Sequence, residues 1–335
     1  MHTGKSYHFS EFLTWTKGNI FILLLLGTVP VVLYQVAGIK WLAMPWTVVA
    51  LLGTATAFIV GFKNTQTYNR NWEAQQVWMS VFTSSRNWGI MCRDFLDDSD
   101  KSRELIYRHF AWLTAMRYQL RESRIWETMD EKYNRRYKQF YKIPEKETSL
   151  EGELAKYISA AELQYILSTK NPATHILALQ SKAVKALLSE QKIPTPYFIE
   201  LEKGLRDFYD QQGKSERIKN FPYPRQYAVI NSLFIKLFCL LLPFGMLHEF
   251  EKLNDSVDGI MKGNMVWLVI PFSIVISWMY TSLEQVGESS ENPFEGSAND
   301  VPLFSIGRNI EIDLKEMLGE TDLPPAINPI NNIIL

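Results

Sequence analysis

The sequence has little of the chemistry that metalloproteins and disulfide-bonded proteins need, with two cysteines and five histidines in 335 residues. Cys92 lies in a polar part of the chain and Cys239 in an apolar part, so they indicate no disulfide framework. No two histidines are spaced i, i+4, and none has a cysteine at metal-ligand spacing. We interpret each as a surface or packing residue and expect no metal site. The histidines are His2, His8, His109, His175 and His248.

Motifs for enzyme chemistry are also missing. Gly4-Lys5-Ser6 resembles the end of a phosphate-binding loop, but that motif needs another glycine five residues before Gly4 and a strand leading into the loop. Neither a Gly-x-Ser-x-Gly turn nor a dinucleotide-binding glycine-rich turn occurs. A net charge of −1 argues against a nucleic-acid partner. The sequence therefore predicts neither an enzyme nor a cofactor.

Long apolar runs are the feature that the chain does have. The mean hydropathy of −0.11 would suit a soluble protein, but the apolar residues are concentrated towards the two ends. About 20 apolar residues in a helix cross a hydrocarbon core of about 30 Å. Pro30 predicts a kink in the first span, whereas Lys236 in the third must snorkel, pair, or face protein or water. The four predicted transmembrane spans cover residues 19–39, 41–62, 226–248 and 263–283.

Between the second and third spans lies a polar insert, residues 63–225, which holds 27 of the 35 lysines and arginines. Strand signals are weak, and apolar residues at helical period predict helices throughout. We therefore predict an all-α membrane protein with a single domain, residues 1–318. The tail at 319–335 has no period and is predicted to be irregular, against a neighbouring subunit. The predicted insert helices cover residues 73–88, 101–127, 151–167, 172–190 and 196–211.

Charge near the spans predicts the orientation in the membrane. Lys63, Arg70, Lys219 and Arg225 flank the insert, whereas the loop 249–262 carries four acids against two lysines. Basic flanks favour the cytoplasmic side. We predict a multi-pass protein of the inner (plasma) membrane with the insert and both termini in the cytoplasm.

The second span carries two stripes of residues at four-residue spacing, each on its own helix face. The first stripe, of small residues, permits close helix packing. The second presents two aromatic rings and a hydroxyl. It either surrounds an axis shared with other helices or faces lipid and core as an ordinary packing surface. The small stripe is Gly53, Ala57 and Gly61, and the second is Thr54, Phe58 and Phe62.

Four blocks of sequence together resemble the prokaryotic branch of the bestrophin channel family. They occur in the family's order over residues 10 to 318. The resemblance implies an all-helical homopentamer with four transmembrane helices per subunit, in which five copies of the second span line one central pore. The blocks are GFKNTQTYNRNWEAQQVWMS, LIYRHFAWLTAMRYQLRE, NPATHILALQS and SLEQVGESSENPFEGSANDVPLFSIGRNIEIDLKEML.

The resemblance also implies residue roles. It places Thr54, Phe58 and Phe62 in a hydrophobic neck, and Thr54 departs from the larger aliphatic residue usual there, so the outer ring is expected to be wider and wetter. A second, cytoplasmic constriction is expected at Ile176 and Leu177. In animal members an acidic run after Asn-Pro-Phe binds calcium. Here the matching stretch, residues 295–300, has only two separated acids, so we expect no calcium gating.

The family contains both anion- and cation-selective members. Phenylalanine edges carry positive potential, which favours monovalent anions such as chloride in a neck lined by Phe58 and Phe62. Lys63 either adds to this field by pointing inward or is a solvated anchor at the interface. Glu73 and Arg70 either line a vestibule or pair with neighbouring helices. The expected partners are further copies of the chain, the bilayer and monovalent ions. A non-conducting scaffold or sensor is the alternative from another class.

Overall fold

The computed structural model describes residues 1–8, 10–18, 20–135 and 138–335. In this part of the chain the regular structure is helical, and strand-like pairing is limited to isolated bridges at the termini. The helices are α1 Phe9–Thr16, α2 Ile20–Gln35, α3 Trp46–Phe95, α4 Ser99–Arg121, α5 Lys132–Tyr137, α6 Pro144–Glu147, α7 Leu150–Leu154, α8 Ala160–Leu167, α9 Pro172–Ser189, α10 Thr195–Asn220, α11 Arg225–Lys252, α12 Val269–Ser289 and α13 Leu303–Met317.

Three described helices are long and apolar enough to cross a membrane, and they coincide with the second, third and fourth predicted spans. The first predicted span, 19–39, differs. Its first residue lies outside the described residues, and α2 ends at Gln35. The apolar pair Ser10–Thr16 and Ile20–Gln35 is bent by 70° and makes a fourth span only if the two pieces count as one. Pro30 lies inside α2, so this break is not at the proline.

The membrane helices form a bundle in which α11 and α12 both pack on α3 and α2. Their apolar faces share one core that includes Val49, Phe238 and Tyr280. Small residues permit close contacts: a Cβ added to Gly245 on α11 would lie 2.8 Å from a Val49 methyl carbon. The bundle therefore fixes which face of α3 is left uncovered.

The insert has its own core, built by the second half of α3 together with α4, α9, α10 and α13. Trp88, Trp112 and Phe208 surround His109, whose ring centroid lies 4.6 Å from that of Phe208. His109 is almost fully buried, and burial lowers its pKa to about 3. It is a neutral packing residue, as interpreted from the sequence.

The predicted insert helices agree with the structure apart from their ends and one internal break. Helix 73–88 is part of α3, and α9 begins at Pro172 with the Asn171 side chain accepting from the Thr174 amide, a standard N-cap. The predicted helix 101–127 ends early, at Arg121. The predicted helix 151–167 is two helices, because Ser159 caps a new start. The predicted helix 196–211 continues to Asn220.

The tail after α13 contains no helix, as predicted, but it lies against its own chain. Ile333 and Leu335 are buried with Met129, Tyr141 and Ile143. The Leu335 carbonyl accepts a hydrogen bond of 3.0 Å from the Ser305 amide at the start of α13. The tail therefore closes over the loop between α4 and α6.

Candidate functional site: the exposed face of α3

Helix α3 runs unbroken for 50 residues, which is about 75 Å at 1.5 Å per residue. The chain passes from an apolar half to a polar half near Lys63 without a proline. The first half packs in the membrane bundle and the second half in the core of the insert. One helix thus connects the two regions of the molecule.

The predicted neck residues share one uncovered face of α3. Phe58 is 77% exposed and Phe62 is 51% exposed, and Thr54 is also exposed. The Thr54 hydroxyl donates to the Ala50 carbonyl at 2.9 Å, so it is satisfied within the helix. No other described element of this subunit covers the three residues. The face is therefore available to other copies or to an open space.

The small-residue stripe is divided between two surroundings. Gly53 is buried against α11, and a Cβ added there would lie 2.6 Å from a ring carbon of Phe238. The Gly53 carbonyl also accepts from the Tyr280 hydroxyl at 3.0 Å. Ala57 and Gly61 are exposed, and a Cβ added to Gly61 would meet nothing within 4 Å. Gly53 packs within the subunit, whereas Ala57 and Gly61 lie on its surface.

Lys63 follows Phe62 directly but points the other way, into the protein. It is 2% exposed, and its Nζ lies 3.6 Å from Oε2 of Glu291, which is equally buried. Arg225 donates to the other Glu291 oxygen at 2.6 Å. Burial raises the pKa of Glu291, and the two cations oppose that shift. Lys63 is thus neither an inward pore charge nor a solvated anchor, the two roles considered from the sequence.

Beyond Phe62 the exposed face of α3 becomes mainly polar, with the partly exposed Glu73 as its charged member between Asn69 and Gln76. Thr65, Asn69, Gln76, Ser80 and Thr83 continue the same face and are all exposed. Sequence reasoning missed this continuation, although the three- and four-residue spacing from Phe62 onward was a usable signal. The face therefore changes from apolar to hydrogen-bonding along one line.

The charged residues beside this polar face are paired with α10. Glu73 forms an ion pair with Arg217, and Arg70 donates to the Ile218 carbonyl. Both residues therefore pair with a neighbouring helix, which was one of the two expectations. Asp207 and Asp210 of α10 lie in the same open groove as Glu73.

The proposed cytoplasmic constriction at Ile176 and Leu177 is contradicted by the structure. Both side chains have no exposed surface and belong to the core of the insert. The amphipathic pattern of α9 explains this, because its apolar face packs on α4 and α10. A side chain buried inside its own subunit cannot line an opening between subunits. Ala178, the next residue, is the exposed one.

The two acidic side chains of the loop after α12 accept hydrogen bonds from protein groups. Asp300 accepts from the Phe294 and Gly296 amides at 2.8 and 2.7 Å and from Arg121 at 2.5 Å. Glu295 is fully buried and accepts from the Thr128 amide and hydroxyl at 3.0 and 3.1 Å. Burial raises the pKa of Glu295 to about 8. Among the described residues, no group of three His, Cys, Asp or Glu could hold a metal ion.

Residues 18–316 match the family model described as Bacterial/Fungal Bestrophin protein. The chain belongs to the bestrophin family. This bestrophin is 28% identical to the voltage-dependent anion channel-forming protein YneE of Escherichia coli K12, over 88% of this chain and 83% of that one. The protein of the same name in Salmonella typhi is 26% identical over 87% of this chain and 82% of its own.

Solved structures agree on the fold. A bacterial bestrophin homologue from Klebsiella pneumoniae superposes with a TM-score of 0.75 at 23% identity, covering 91% of this chain and 98% of that one. Its variant L177T, in that protein's numbering, gives the same TM-score and identity. This bestrophin is therefore an all-helical membrane protein with the architecture of those structures.

Proposed function

We propose that this bestrophin is a passive ion channel whose pore is lined by α3 from five copies of the chain, and that it conducts monovalent anions. One observation carries the proposal most: Phe58 and Phe62 are exposed on a helix long enough to cross a membrane, on a face that its own subunit leaves uncovered. The related proteins named as anion channel-forming support the choice of ion.

The surface around the proposed neck would allow several copies of α3 to pack around a common axis. Ala57 and Gly61 lie beside Phe58 and Phe62 on the exposed side of α3, and small residues let neighbouring helices approach closely. Five copies of α3 packed through this small face would turn their phenylalanines toward the centre. The number five rests on the family resemblance.

An apolar neck controls ion passage through wetting. Where the ring of Phe58 and Phe62 side chains is narrow, an ion must lose water to pass, and the cost falls when the ring widens. Below it, the polar face from Thr65 to Thr83 offers hydroxyl and amide groups that replace this water. The dehydrated part of the path is therefore short.

Selectivity for anions in this arrangement comes from the aromatic edges. A ring edge carries the positive end of the quadrupole, so edges turned to the axis stabilise an anion. Lys63 adds little to that field, because it is buried and its charge is opposed by Glu291. The aromatic rings are the neck's main source of selectivity.

Cation conduction is the second candidate, and one observation favours it. Glu73, Asp207 and Asp210 line an open groove next to the polar face of α3. Only Glu73 among them has an ion pair in the described part of the chain. Five copies of this groove would give a wide vestibule a negative potential that attracts cations.

Reversal potential in a salt gradient separates the two candidates. Purified protein in liposomes with unequal potassium chloride is expected to give a potential near the chloride equilibrium value. A value near the potassium equilibrium value would reverse the assignment. Vesicles as tight as protein-free ones, across pH and voltage, would support a non-conducting scaffold instead.

Substitution of the neck tests the location of the pore. Phe58→Ala and Phe62→Ala are each expected to raise the flux severalfold, because a smaller ring is easier to wet. Phe21→Ala is the matched control, since Phe21 of α2 is 80% exposed but lies on a different helix. Equal flux in all three variants would show that α3 does not form the neck.

A further inference from the structure

A large open groove lies on the side of the membrane bundle, at the end that adjoins the insert. We call it the inner groove. Its walls are the first half of α11 and the second half of α12, and its cavity volume is about 860 Å³. Ser232 and Lys236 come from α11, and Glu284 and Glu288 come from α12. None of these residues belongs to the exposed face of α3.

Glu284 has an unmet hydrogen-bonding need in this groove. It is 9% exposed, and its Oε1 has no hydrogen-bond partner. Lys63 and Lys236 contribute positive charge nearby and Glu288 contributes negative charge, but no ion pair of Glu284 exists among the described residues. A buried carboxylate oxygen without a donor is costly next to a membrane. Ser232 hydrogen-bonds to the Glu284 carboxyl, so Oε1 is the atom that a further N–H or O–H donor would satisfy.

Glu288 and Lys236 of the inner groove are also incompletely paired, whereas Arg225, Glu291 and Glu127 of its lining have ion pairs. Glu288 accepts only from the Tyr133 hydroxyl, at 3.1 Å, and has no ion pair in the described part of the chain. Lys236 likewise has no ion pair in the described part of the chain, and it is exposed to the groove although it lies within a membrane helix. The groove therefore presents unneutralised charge of both signs, which a zwitterion complements.

The rest of the lining is apolar and aromatic. Ile22 is 59% exposed and Val229 is 65% exposed, on the membrane side. Trp15, Trp126 and Tyr133 lie at the insert side. Aromatic side chains with one polar end concentrate where lipid headgroups meet hydrocarbon. The inner groove thus has an apolar part for an acyl chain and a polar part at headgroup level.

We propose that the inner groove binds a phospholipid with a primary-ammonium headgroup, of the phosphatidylethanolamine type. Its ammonium donates to Glu284 and Glu288, and its phosphate accepts from Lys236. An ammonium has three N–H donors, whereas the quaternary ammonium of a choline headgroup has none. An anionic lipid without an amine leaves both carboxylates unpaired. The chemistry therefore favours this headgroup over choline or glycerol.

Native mass spectrometry of the purified full-length protein tests the proposal. The protein is mixed with phosphatidylethanolamine, phosphatidylcholine or phosphatidylglycerol of identical acyl chains. Wild type is expected to retain the ethanolamine lipid best. Glu284→Gln is expected to lose about tenfold in affinity for it and to lose the preference over choline, because charge-assisted hydrogen bonds are removed. Lys236→Gln is expected to weaken the binding of both the ethanolamine lipid and the choline lipid.

Two controls and two contrary results complete the experiment. Glu249→Gln and Lys262→Gln make the same changes at the far ends of the spans and should leave lipid retention unchanged. Equal retention of the three lipids by wild type, or preference for the glycerol lipid, would overturn the proposal. So would a change in subunit number with Glu284→Gln and no bound lipid, because a second copy would then occupy the groove.

Discussion

Adjacent residues of α3 have opposite surroundings: Phe62 is half exposed, whereas Lys63 is buried against Glu291. Glu291 lies two residues after the end of α12, just before the loop that holds Asp300. The lysine therefore connects α3, the helix of the proposed neck, to the loop after α12. Its sequence position alone could not reveal this, because a lysine at a span end commonly reaches water.

Removing the Lys63 charge is expected to destabilise the protein. In Lys63→Met, Glu291 keeps Arg225 but loses its buried partner, and breaking such pairs typically costs about 3–5 kcal/mol. Because Arg225 remains paired with Glu291, the loss of stability should lie near the lower end of this range. Thermal unfolding in detergent measures it, with the exposed Lys214→Met as control. Unchanged stability in Lys63→Met would mean that the pair contributes nothing, and recovery in Lys63→Met/Glu291→Gln would identify the pair as the cause.

Glu295 gives the protein a specific dependence on pH. Burial raises its folded pKa to about 8 from an ordinary 4.5, so the folded state binds the proton more tightly. This contribution to stability is complete below about pH 4.5 and is lost as pH rises through 8. Glu295→Gln should remove the effect, which is at most about 5 kcal/mol across the window.

The measurement for Glu295 is the difference in melting temperature between wild type and Glu295→Gln at several pH values from 5 to 8. Wild type should lose stability relative to the variant as pH rises. The exposed Glu151→Gln should give a difference that does not vary with pH. Parallel curves for wild type and Glu295→Gln would show that the carboxyl does not titrate in this window.

At the scale of elements, the helices were largely predictable because their apolar periods are strong and uninterrupted. α3 continues through residues 63–72, where no proline interrupts it, although the segment contains Asn64, Asn69 and Asn71. α4 ends at Arg121, although apolar residues continue to 126, because the chain must turn before α5. The core of the insert was harder to predict from the sequence. The motif match predicted a constriction at Ile176 and Leu177, but both lie on the apolar face of α9 and are buried.

Two glycines of α3 allow a matched test of packing. Gly53→Ala places a Cβ 2.6 Å from a ring carbon of Phe238, so the ring must shift, at a cost of about 1–3 kcal/mol. Gly61→Ala meets nothing in its own subunit and should stabilise the helix by about 1 kcal/mol. Melting temperatures measure both. Equal effects would contradict this assignment of the two faces.

Gly61→Ala also reports on assembly. If Gly61 lies between copies of α3, its added methyl group should weaken the oligomer even as it stabilises the helix. Native mass spectrometry at decreasing protein concentration measures this. An oligomer as tight as wild type would place the contact between copies elsewhere.

For the whole molecule, the main expectation is the number of subunits. Native mass spectrometry in detergent should give a particle of about five times the chain mass of 38.9 kDa. The composition cannot predict this number, because five copies and another closed ring would use the same exposed face. A stable particle of another size would change the expected pore diameter, but it would be compatible with a pore lined by α3.

The contact between residues 1–3 and residues 332–334 has a consequence for the order of folding. The Met1 carbonyl accepts from the Ile334 amide at 3.0 Å, and the Thr3 amide donates to the Asn332 carbonyl at 2.7 Å. Contacts of such long sequence separation cannot form until residues 332–334 have been synthesised. The tail also covers Met129 and Tyr141. During translation, these contacts of residues 1–3 therefore form only after residues 332–334 have emerged, and the patch beneath the tail stays open to solvent until then.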